Sequence, residues 1–456
     1  MTDFTQLRAE YPLFIYKDYT IKADENDKIR LTYTFIQKLG CQDFVTFRPS
    51  WTLPYNWDVY HNNKNKELLD KTIFFLGCIE LISYWKSCCS PQIRIDCGVI
   101  SVYAEKWLKK LYYNGLGEFF YRNNIHADQN TFLSITSSGK QHQIQTSDMN
   151  LTGFLIPIGG GKDSVVTMEL LNKYRNHTKC YVINLKGAPI QTALAAGFSD
   201  NNIIRFQRHL DMQIVELNKQ GFLNGHTPFS AIVAFSSYLC ALLEEKKYIV
   251  LSNESSANDV YVKGTSVNHQ YSKSLEFEND FREFIKNELG SGPEYFSLLR
   301  PLNEWNIMKL FVQNPKYLPI FKSCNLGSKQ NIWCGKCSKC LFVYIMLSPF
   351  IEQNILIHIF GGNLLDDESM IQFFDGLVCD NFDKPFECIG TRAEINTALT
   401  YTLQKYEKAR KELPLLLQIY KSSYYDPTFD MSTVERFFDK NNYVPDFLKE
   451  ELGWNY

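Results

Sequence analysis

The sequence lacks the features of several large protein classes. It contains no internal repeat and no low-complexity segment, and its composition of 45% hydrophobic and 21% charged residues is not that of a disordered or fibrous chain. Its longest apolar stretches, such as residues 72–85, are shorter than the ~20 residues that span a membrane. The start, MTDFTQLRAEYPLF, lacks the apolar core of a signal peptide. We therefore expect a cytoplasmic protein without a membrane span.

The sequence also has little net charge. Its 48 basic and 50 acidic side chains give a formal charge of -2. A chain built to bind a polyanion usually carries a large positive excess. We therefore expect no nucleic-acid partner.

A disulfide framework is also missing, although the chain has thirteen cysteines. The count is odd, and most cysteines stand singly in apolar stretches, as is usual in a reducing compartment. The adjacent Cys88 and Cys89 rarely bridge each other or share one metal, so we interpret them as packing residues.

The hydrophobic pattern predicts an α/β protein with three parts. Residues 1–150 read as short strands and then helices, which we interpret as an N-terminal extension for substrate recognition. Residues 151–345 alternate apolar strands with helices, which is typical of a parallel sheet covered by helices on both faces. Residues 346–456 return to helical periodicity, and we predict a helical C-terminal region.

A glycine loop follows the first strand of the predicted parallel sheet, where open α/β sheets bind ligands. Glycines let the backbone approach an anion, and the helix after them presents free N–H groups. The lysine adds a point charge, the aspartate can hold Mg²⁺, and the serine can cap the helix or contact a phosphate. The predicted polyphosphate-binding residues are Gly159, Gly160, Gly161, Lys162, Asp163 and Ser164. An ordinary tight turn is the alternative.

The glycine loop resembles a known nucleotide-binding signature. It is not a Walker A loop, because Asp163 follows the lysine and Ile156 stands where the first glycine should be. It is similar to the S-G-G-x-D-S signature of the ATP pyrophosphatase (PP-loop) superfamily, with Gly159 in place of the first serine. That resemblance implies a PP-loop (HUP-type) fold that cleaves ATP between its α and β phosphates.

Polar clusters follow the other predicted strands of the sheet. Such side chains can bind a ligand at the sheet edge, and an acid there can coordinate Mg²⁺, although capped turns have the same composition. We predict cofactor contacts from Asn184, Ser252, Asn253 and Glu254. Of the eight histidines, His226 and His269 stand among the most polar neighbours, and either is a candidate proton carrier or a structural hydrogen bonder.

Four cysteines form a C-x9-C-x2-C-x2-C pattern: Cys324, Cys334, Cys337 and Cys340. Cys324 and two overlapping CxxC pairs together supply four thiolates, which match a closed tetrahedral site of structural Zn²⁺. An iron–sulfur cluster takes the same ligands, and free core thiols are the third interpretation. A zinc site here would hold the segment after the sheet against the core and fix one wall of the nucleotide pocket.

Longer segments resemble one family within the superfamily. The loop, the cysteine pattern and LLRPLNEWNI are similar to the 7-cyano-7-deazaguanine synthase-like enzymes, whose four cysteines hold zinc. A closer likeness, to the UDP-N-acetylmuramoyl-L-alanyl-L-glutamate epimerases, covers GLGEFFYRN, LIPIGGGKDSVVTMELL, GFLNGHTPFSAI, LSNESSAN, NHQYSKSLEFE, LLRPL and SCN followed by WCGKCSKCLFV. These segments lie between residues 115 and 343.

The epimerase resemblance implies ATP- and Mg²⁺-dependent inversion of the terminal L-glutamate of UDP-MurNAc-L-Ala-L-Glu in peptidoglycan precursor synthesis. It implies an acyl adenylate, with AMP and pyrophosphate as products. The glycine loop would bind polyphosphate, and Asp163 and Glu254 would hold Mg²⁺. The acid and base would come from His226, His269, Tyr271 or Lys273.

Three other functions remain open at this point. In a PP-loop ligase or amidase, an amine would trap the same adenylate. A tRNA-modifying PP-loop enzyme would need a basic, aromatic-interleaved surface, which the sequence does not display. A non-catalytic ATP sensor would bind nucleotide without turnover.

Overall fold

The structure is a computed structural model that describes residues 4–142, 149–184, 187–258, 268–290 and 292–454. The strands in these residues are β1 Leu13–Ala23, β2 Lys28–Leu39, β3 Gln42–Phe47, β4 Ser50–Asn56, β5 Gln92–Ile95, β6 Ser134–Ser137, β7 Phe154–Pro157, β8 Thr178–Ile183, β9 Ile203–His209, β10 Tyr248–Leu251 and β11 Glu294–Ser297.

The α-helices lie before, between and after these strands along the chain, and the described residues after β11 contain helices but no strand. They are α1 Phe4–Glu10, α2 Trp57–His61, α3 Lys66–Glu80, α4 Ile82–Trp85, α5 Val102–Gly115, α6 Gly117–Arg122, α7 Lys162–Leu170, α8 Ala188–Ala195, α9 Gln213–Lys219, α10 Phe229–Leu243, α11 Leu275–Phe284, α12 Glu304–Val312, α13 Ser338–Leu347, α14 Gln353–Phe360, α15 Ile371–Val378, α16 Arg392–Lys408, α17 Leu415–Ser423, α18 Ser432–Glu435 and α19 Asp446–Glu451.

The strands form one large sheet in the order β11-β10-β7-β8-β9-β4-β2-β1-β5-β6, with β3 paired to β2. From β11 to β9 all neighbours are parallel. On β7, Leu155 belongs to one hydrophobic core, whereas Phe154 and Ile156 belong to the other. Successive side chains of a strand point to opposite faces of the sheet, and here both faces are covered by apolar residues. This explains the unbroken apolar runs in these strands. The predicted α/β architecture with a parallel central sheet is confirmed at this level.

The N-terminal strands continue the same sheet, which the sequence did not predict. β4 pairs antiparallel with β9, and Ser50 lies opposite His209 in the register. The hydrophobic pattern predicted short strands in the N-terminal extension but did not place them in the parallel sheet. Local periodicity cannot show this pairing, because it joins residues more than 150 positions apart. The division of the chain at residues 150 and 345 stays a prediction.

The last part of the chain is helical in its described residues, as the periodicity predicted. The long helix α16 packs against α12 and α13 and so joins this region to the central core. A capping box starts α16: Thr391 accepts a hydrogen bond from the backbone of Glu394, and Glu394 accepts one from Thr391. Within the described helices, none is long and apolar enough to cross a membrane.

A buried ion pair fastens the N-terminal helices to the sheet. Glu80, at the end of α3, is fully buried and receives two hydrogen bonds of 2.7 and 2.8 Å from the guanidinium of Arg208 on β9. Trp51 of β4 also donates to this carboxylate, at 3.4 Å. The interaction therefore spans the junction between β4 and β9.

Replacing this arginine should destabilise the junction strongly. Arg208→Met leaves the Glu80 carboxylate buried without a counter-charge, and we expect a loss of about 3–5 kcal/mol in the free energy of unfolding, measured in urea. The control is Lys219→Met, which breaks the exposed pair with Glu216 and should cost no more than about 1 kcal/mol. Equal effects of the two substitutions would contradict the assigned role of Arg208.

Candidate active site

The carboxyl ends of β7, β8 and β10 open into a cavity of about 440 Å³. We call it the strand-end cavity, and Gly159, Ser252, Lys273, Lys339 and Cys388 mark its walls. Crevices at this edge of an open α/β sheet are the usual ligand sites of such folds. The cavity combines the predicted glycine loop with segments from much later in the chain.

The glycine loop turns tightly from β7 into α7. Gly160 has φ +79°, and a Cβ atom on it would lie 2.5 Å from the backbone nitrogen of Pro189. At Gly159, by contrast, a Cβ would meet no atom within 4 Å. Gly161 precedes the helix without a side-chain cap, and the Ser164 hydroxyl donates to its carbonyl at 3.0 Å. The first N–H groups of α7 therefore remain available to an anion at the cavity.

Lys162 is almost completely buried beneath the loop. Its ammonium lies 2.5 Å from a carboxylate oxygen of Glu304 and also contacts Asp163. Burial alone would lower the pKa of Lys162, but the carboxylates of Asp163, Glu304 and Glu254 outweigh burial and raise it. A fixed positive charge therefore sits at the start of α7.

Glu304 is a site residue that sequence reasoning missed. It begins α12 and is buried; burial together with Asp163 and Glu254 raises its pKa, while the paired Lys162 ammonium opposes this rise and favours the carboxylate. Its backbone N–H donates to Glu394 of α16 at 2.5 Å. In the sequence, Glu304 stood out only as part of the segment LLRPLNEWNI, and no role was predicted for it.

The predicted cofactor contacts do not all reach the cavity. Ser252 and Asn253 line it, and their side chains also bond to Thr167 and Ser297, at 2.8 and 3.1 Å. The side chain of Asn184 instead accepts from the backbone N–H of Arg208 and donates to the carbonyl of the same residue.

The two predicted metal-binding carboxylates differ in exposure. Asp163 lines the cavity, and its side chain is 32% exposed. Glu254 is buried and accepts a hydrogen bond from Ser256 at 3.3 Å. Both raise the pKa of Lys162, so the two acids share one electrostatic environment.

The two predicted histidines lie together against Glu118, with ring centroids 4.7 Å apart. One carboxylate oxygen of Glu118 is 2.5 Å from Nδ1 of His269 and 3.3 Å from Nδ1 of His226. Burial and the charge of His269 lower the pKa of His226 to about 4. Burial opposes protonation of His269 too, but Cys388 and Glu118 raise its pKa to about 9. The ligand atoms of Glu118, His226 and His269 all lie within 4.8 Å of one another, so the three side chains form one compact polar cluster.

Tyr271 and Lys273 occupy different surroundings. Tyr271 is buried, donates to Asp280 at 3.1 Å, and has its pKa raised by burial. Lys273 lines the cavity and donates to the Cys388 sulfur at 3.0 Å. Among the described residues, the lining of the strand-end cavity includes Lys273 but not His226, His269 or Tyr271.

Glu387 and Cys388 also line the cavity, and no sequence motif pointed to them. They lie in the loop between α15 and α16, within the region predicted only as helical. The Lys339 ammonium contacts the carbonyl of Cys388, and Asn325 donates to Glu387 at 2.7 Å. The C-terminal region thus supplies one wall of the site.

The four predicted cysteines converge. Their sulfur atoms all lie within 4.8 Å of one another, with separations of 3.8 Å for Cys324–Cys337, 3.7 Å for Cys334–Cys340 and 3.5 Å for Cys337–Cys340. Tetrahedral zinc with Zn–S bonds near 2.3 Å requires S···S separations of about 3.8 Å. The donor set and its spacing therefore fit a closed four-thiolate metal site.

The cysteine segment also supports the glycine loop. The backbone N–H of Lys322, two residues before Cys324, donates to the carbonyl of Gly160 at 2.9 Å. Lys322 and Ser323 line the cavity as well. The segment that carries Cys324 therefore contacts the glycine loop directly and forms part of the cavity wall.

Comparisons with known proteins give one consistent result. The MurL N-terminal domain family matches residues 5–298, and the MurL C-terminal domain family matches residues 320–424. A UDP-N-acetyl-alpha-D-muramoyl-L-alanyl-L-glutamate epimerase of Xanthomonas oryzae pv. oryzae is 33% identical over 75% of this chain and 77% of its own. Proteins of the same name from Micromonospora sp. and Salinispora tropica are 32% and 30% identical, over 73% of this chain and 74% and 73% of theirs.

The two adjacent loop glycines should respond differently to the same substitution. Gly159→Ser has open space for its side chain and should change the free energy of unfolding by less than about 0.5 kcal/mol. Gly160→Ser combines a positive φ with a backbone clash and should cost about 1–3 kcal/mol or more. Urea unfolding of both variants tests this difference, and equal stabilities would refute the described loop conformation.

Proposed function

This chain belongs to the MurL family of UDP-N-acetylmuramoyl-L-alanyl-L-glutamate epimerases, and we propose that it works through an ATP-derived acyl adenylate. It is therefore an isomerase of peptidoglycan precursor synthesis. The proposed reaction inverts the terminal L-glutamate of UDP-MurNAc-L-Ala-L-Glu to D-glutamate and releases AMP and pyrophosphate.

The strand-end cavity is the observation that carries the proposed mechanism. It places a glycine loop and a helix start without a side-chain cap beside polar side chains that belong to no nucleotide motif. The loop suits a polyphosphate, and the remaining volume suits the reacting end of a second substrate. This combination is what adenylation requires.

Adenylation would solve the chemical problem of an epimerase that acts on a free carboxylate. The α-proton beside a carboxylate is very weakly acidic, because the carbanion would form next to a negative charge. An acyl adenylate removes that charge and leaves an ester-like carbonyl. Deprotonation, reprotonation on the opposite face and hydrolysis would then give the epimer and AMP.

In this proposal the glycine loop holds the polyphosphate through Gly159, Gly160, Gly161, Lys162 and Ser164. Asp163 and Glu254 would hold Mg²⁺, whose role is to neutralise phosphate charge during transfer to the carboxylate. The raised pKa of Lys162 supports its part, since the ammonium stays charged. Asn184, Ser252 and Asn253 remain proposed nucleotide contacts, and only the last two line the cavity.

The acid and base proposed from the family resemblance were His226, His269, Tyr271 and Lys273. The position of Lys273 in the cavity wall supports its contact with substrate. His226, His269 and Tyr271 are not among the lining residues of the cavity, so they would act by supporting residues that touch the substrate. Each of these roles remains a proposal.

The four-cysteine cluster would hold a structural Zn²⁺, which supplies folding energy and no reactive position. We also propose the PP-loop (HUP-type) fold for the central sheet and a cytoplasmic location, where thiols stay reduced. All thirteen cysteines are free.

The proposed reaction predicts two linked products. With ATP, Mg²⁺ and UDP-MurNAc-L-Ala-L-Glu in deuterium oxide, the wild-type chain should form AMP and place deuterium at the glutamyl α-carbon. Asp163→Asn should lower both by at least about 100-fold, because the proposed Mg²⁺ ligand is lost. Asp200→Asn, a control on an exposed side chain, should keep both. A wild-type chain that forms neither product would refute the proposal, and a product of higher mass would indicate a ligase.

Elemental analysis of the purified chain should find about one zinc per chain, without the visible absorbance of an iron–sulfur cluster. Cys337→Ser should lose this zinc and lower the midpoint of thermal unfolding. The control, Cys379→Ser, removes a cysteine outside the cluster and should retain the metal. A zinc content that Cys337→Ser leaves unchanged would contradict the assignment.

A further inference from the structure

Cys388 occupies a position that no motif in the sequence suggested. Its sulfur lies 3.0 Å from the Lys273 ammonium nitrogen, and both residues line the strand-end cavity. The glycine loop and Ser252 lie on other walls of the same cavity. Cys388 therefore borders the same cavity as the glycine loop, at which the acyl group would be activated.

The groups around this thiol are mostly cationic. Burial would raise the pKa of Cys388, but Lys273, His269 and Lys339 outweigh burial and lower it to about 6. Glu118 sits behind His269 and helps to keep that ring protonated. Glu387 is the adjacent carboxyl group, and burial raises its pKa. The cations around Cys388 therefore favour its thiolate form at the cavity wall.

The four bases expected from the family resemblance, His226, His269, Tyr271 and Lys273, each lack a free lone pair or access to the cavity. The pKa of Lys273 is raised, chiefly by Cys388 and Glu254 acting against burial, so this ammonium has no lone pair to accept a proton. His226 has its pKa lowered to about 4 by burial and His269, and it is neutral, but it does not line the cavity. Cys388 combines both properties.

We propose that the Cys388 thiolate removes the α-proton of the adenylated glutamyl residue, an assignment that rests on the proposed function. The Cα–H bond breaks and an S–H bond forms, while the electron pair of the C–H bond enters the enolate of the activated carbonyl. Water or a protonated side chain on the opposite face then supplies the proton of the new Cα–H bond. Hydrolysis releases AMP, and the thiol returns its proton to solvent.

Lys273 acts in this step as a positioning residue. Its ammonium fixes the sulfur at hydrogen-bond distance and stabilises the thiolate in the resting site. After proton transfer the sulfur is neutral, and the same ammonium lies near the enolate that has formed. The Lys273 ammonium would thus stabilise the thiolate before proton transfer and the enolate after it.

Cys388→Ala should separate the two halves of the reaction. In deuterium oxide with ATP, Mg²⁺ and UDP-MurNAc-L-Ala-L-Glu, we expect α-deuterium incorporation to fall at least about 100-fold, the usual minimum for loss of a general base. AMP formation should stay within about threefold of wild type, because the adenylation groups are intact. Cys388→Ser should behave like Cys388→Ala. Cys41→Ala, a control at an exposed hairpin cysteine, should change neither product.

Two outcomes in the Cys388 variants and one in the wild-type chain would overturn the assignment. These are retained deuterium incorporation, loss of AMP formation together with deuterium, or an acyl thioester trapped on Cys388 in the wild-type chain. Failure of the proposed function would look different, since the wild-type chain itself would then form neither AMP nor deuterated substrate.

A second measurement needs no turnover. The rate of alkylation of Cys388 by iodoacetamide, followed by mass spectrometry of the wild-type chain, should rise through a midpoint near pH 6. Lys273→Met removes the closest cation and should move this midpoint upward, toward the ordinary thiol value near 8.5. A wild-type midpoint already at the ordinary value would overturn the proposal.

Discussion

The arrangement of the site depends on the completely buried guanidinium of Arg300. Its nitrogens donate to the backbone carbonyls of Glu254 and Lys273, at 2.6 and 2.5 Å, and to the Glu278 carboxylate at 3.1 Å. The same carboxylate accepts from the backbone N–H of Ser297 at the end of β11. A buried charge is tolerated only when all its partners are in place. The loop that carries Glu254 and the segment that carries Lys273 are therefore held in one fixed relation.

Around this fixed frame, the charges of the site are paired across segments that are distant in sequence. Lys162 at the glycine loop is balanced by Glu304, whose backbone is in turn held by Glu394 in the C-terminal helices. Lys273 is balanced by Cys388, on the loop that precedes the same helices. Each pair stabilises a charge that would otherwise be costly to bury. The C-terminal region thus forms part of the cavity wall and also supplies groups that stabilise the charges of the site.

Sequence reasoning recovered what local pattern determines. Apolar runs identified the parallel strands, and glycines at a strand–helix junction identified the loop. Cysteine spacing identified a cluster whose sulfur atoms do converge. It could not find the pairing of β4 with β9, because neither strand encodes its partner. It also missed Glu304 and Cys388, which gain their importance only from burial beside residues more than 100 positions away. A lone glutamate or cysteine in a sequence carries no such information.

The ordinary pKa values of the side chains explain why the sequence pointed to the histidines and not to Cys388. Histidine is the one side chain whose ordinary pKa lies near neutrality, so it is the natural candidate for proton transfer in a sequence. In the folded chain, burial and mutual repulsion make His226 a poor base, while the Glu118 carboxylate keeps His269 charged. That charge is then one of those that lower the pKa of Cys388. The histidine cluster thus acts on the cavity through the thiol, to which we assign the proposed proton transfer.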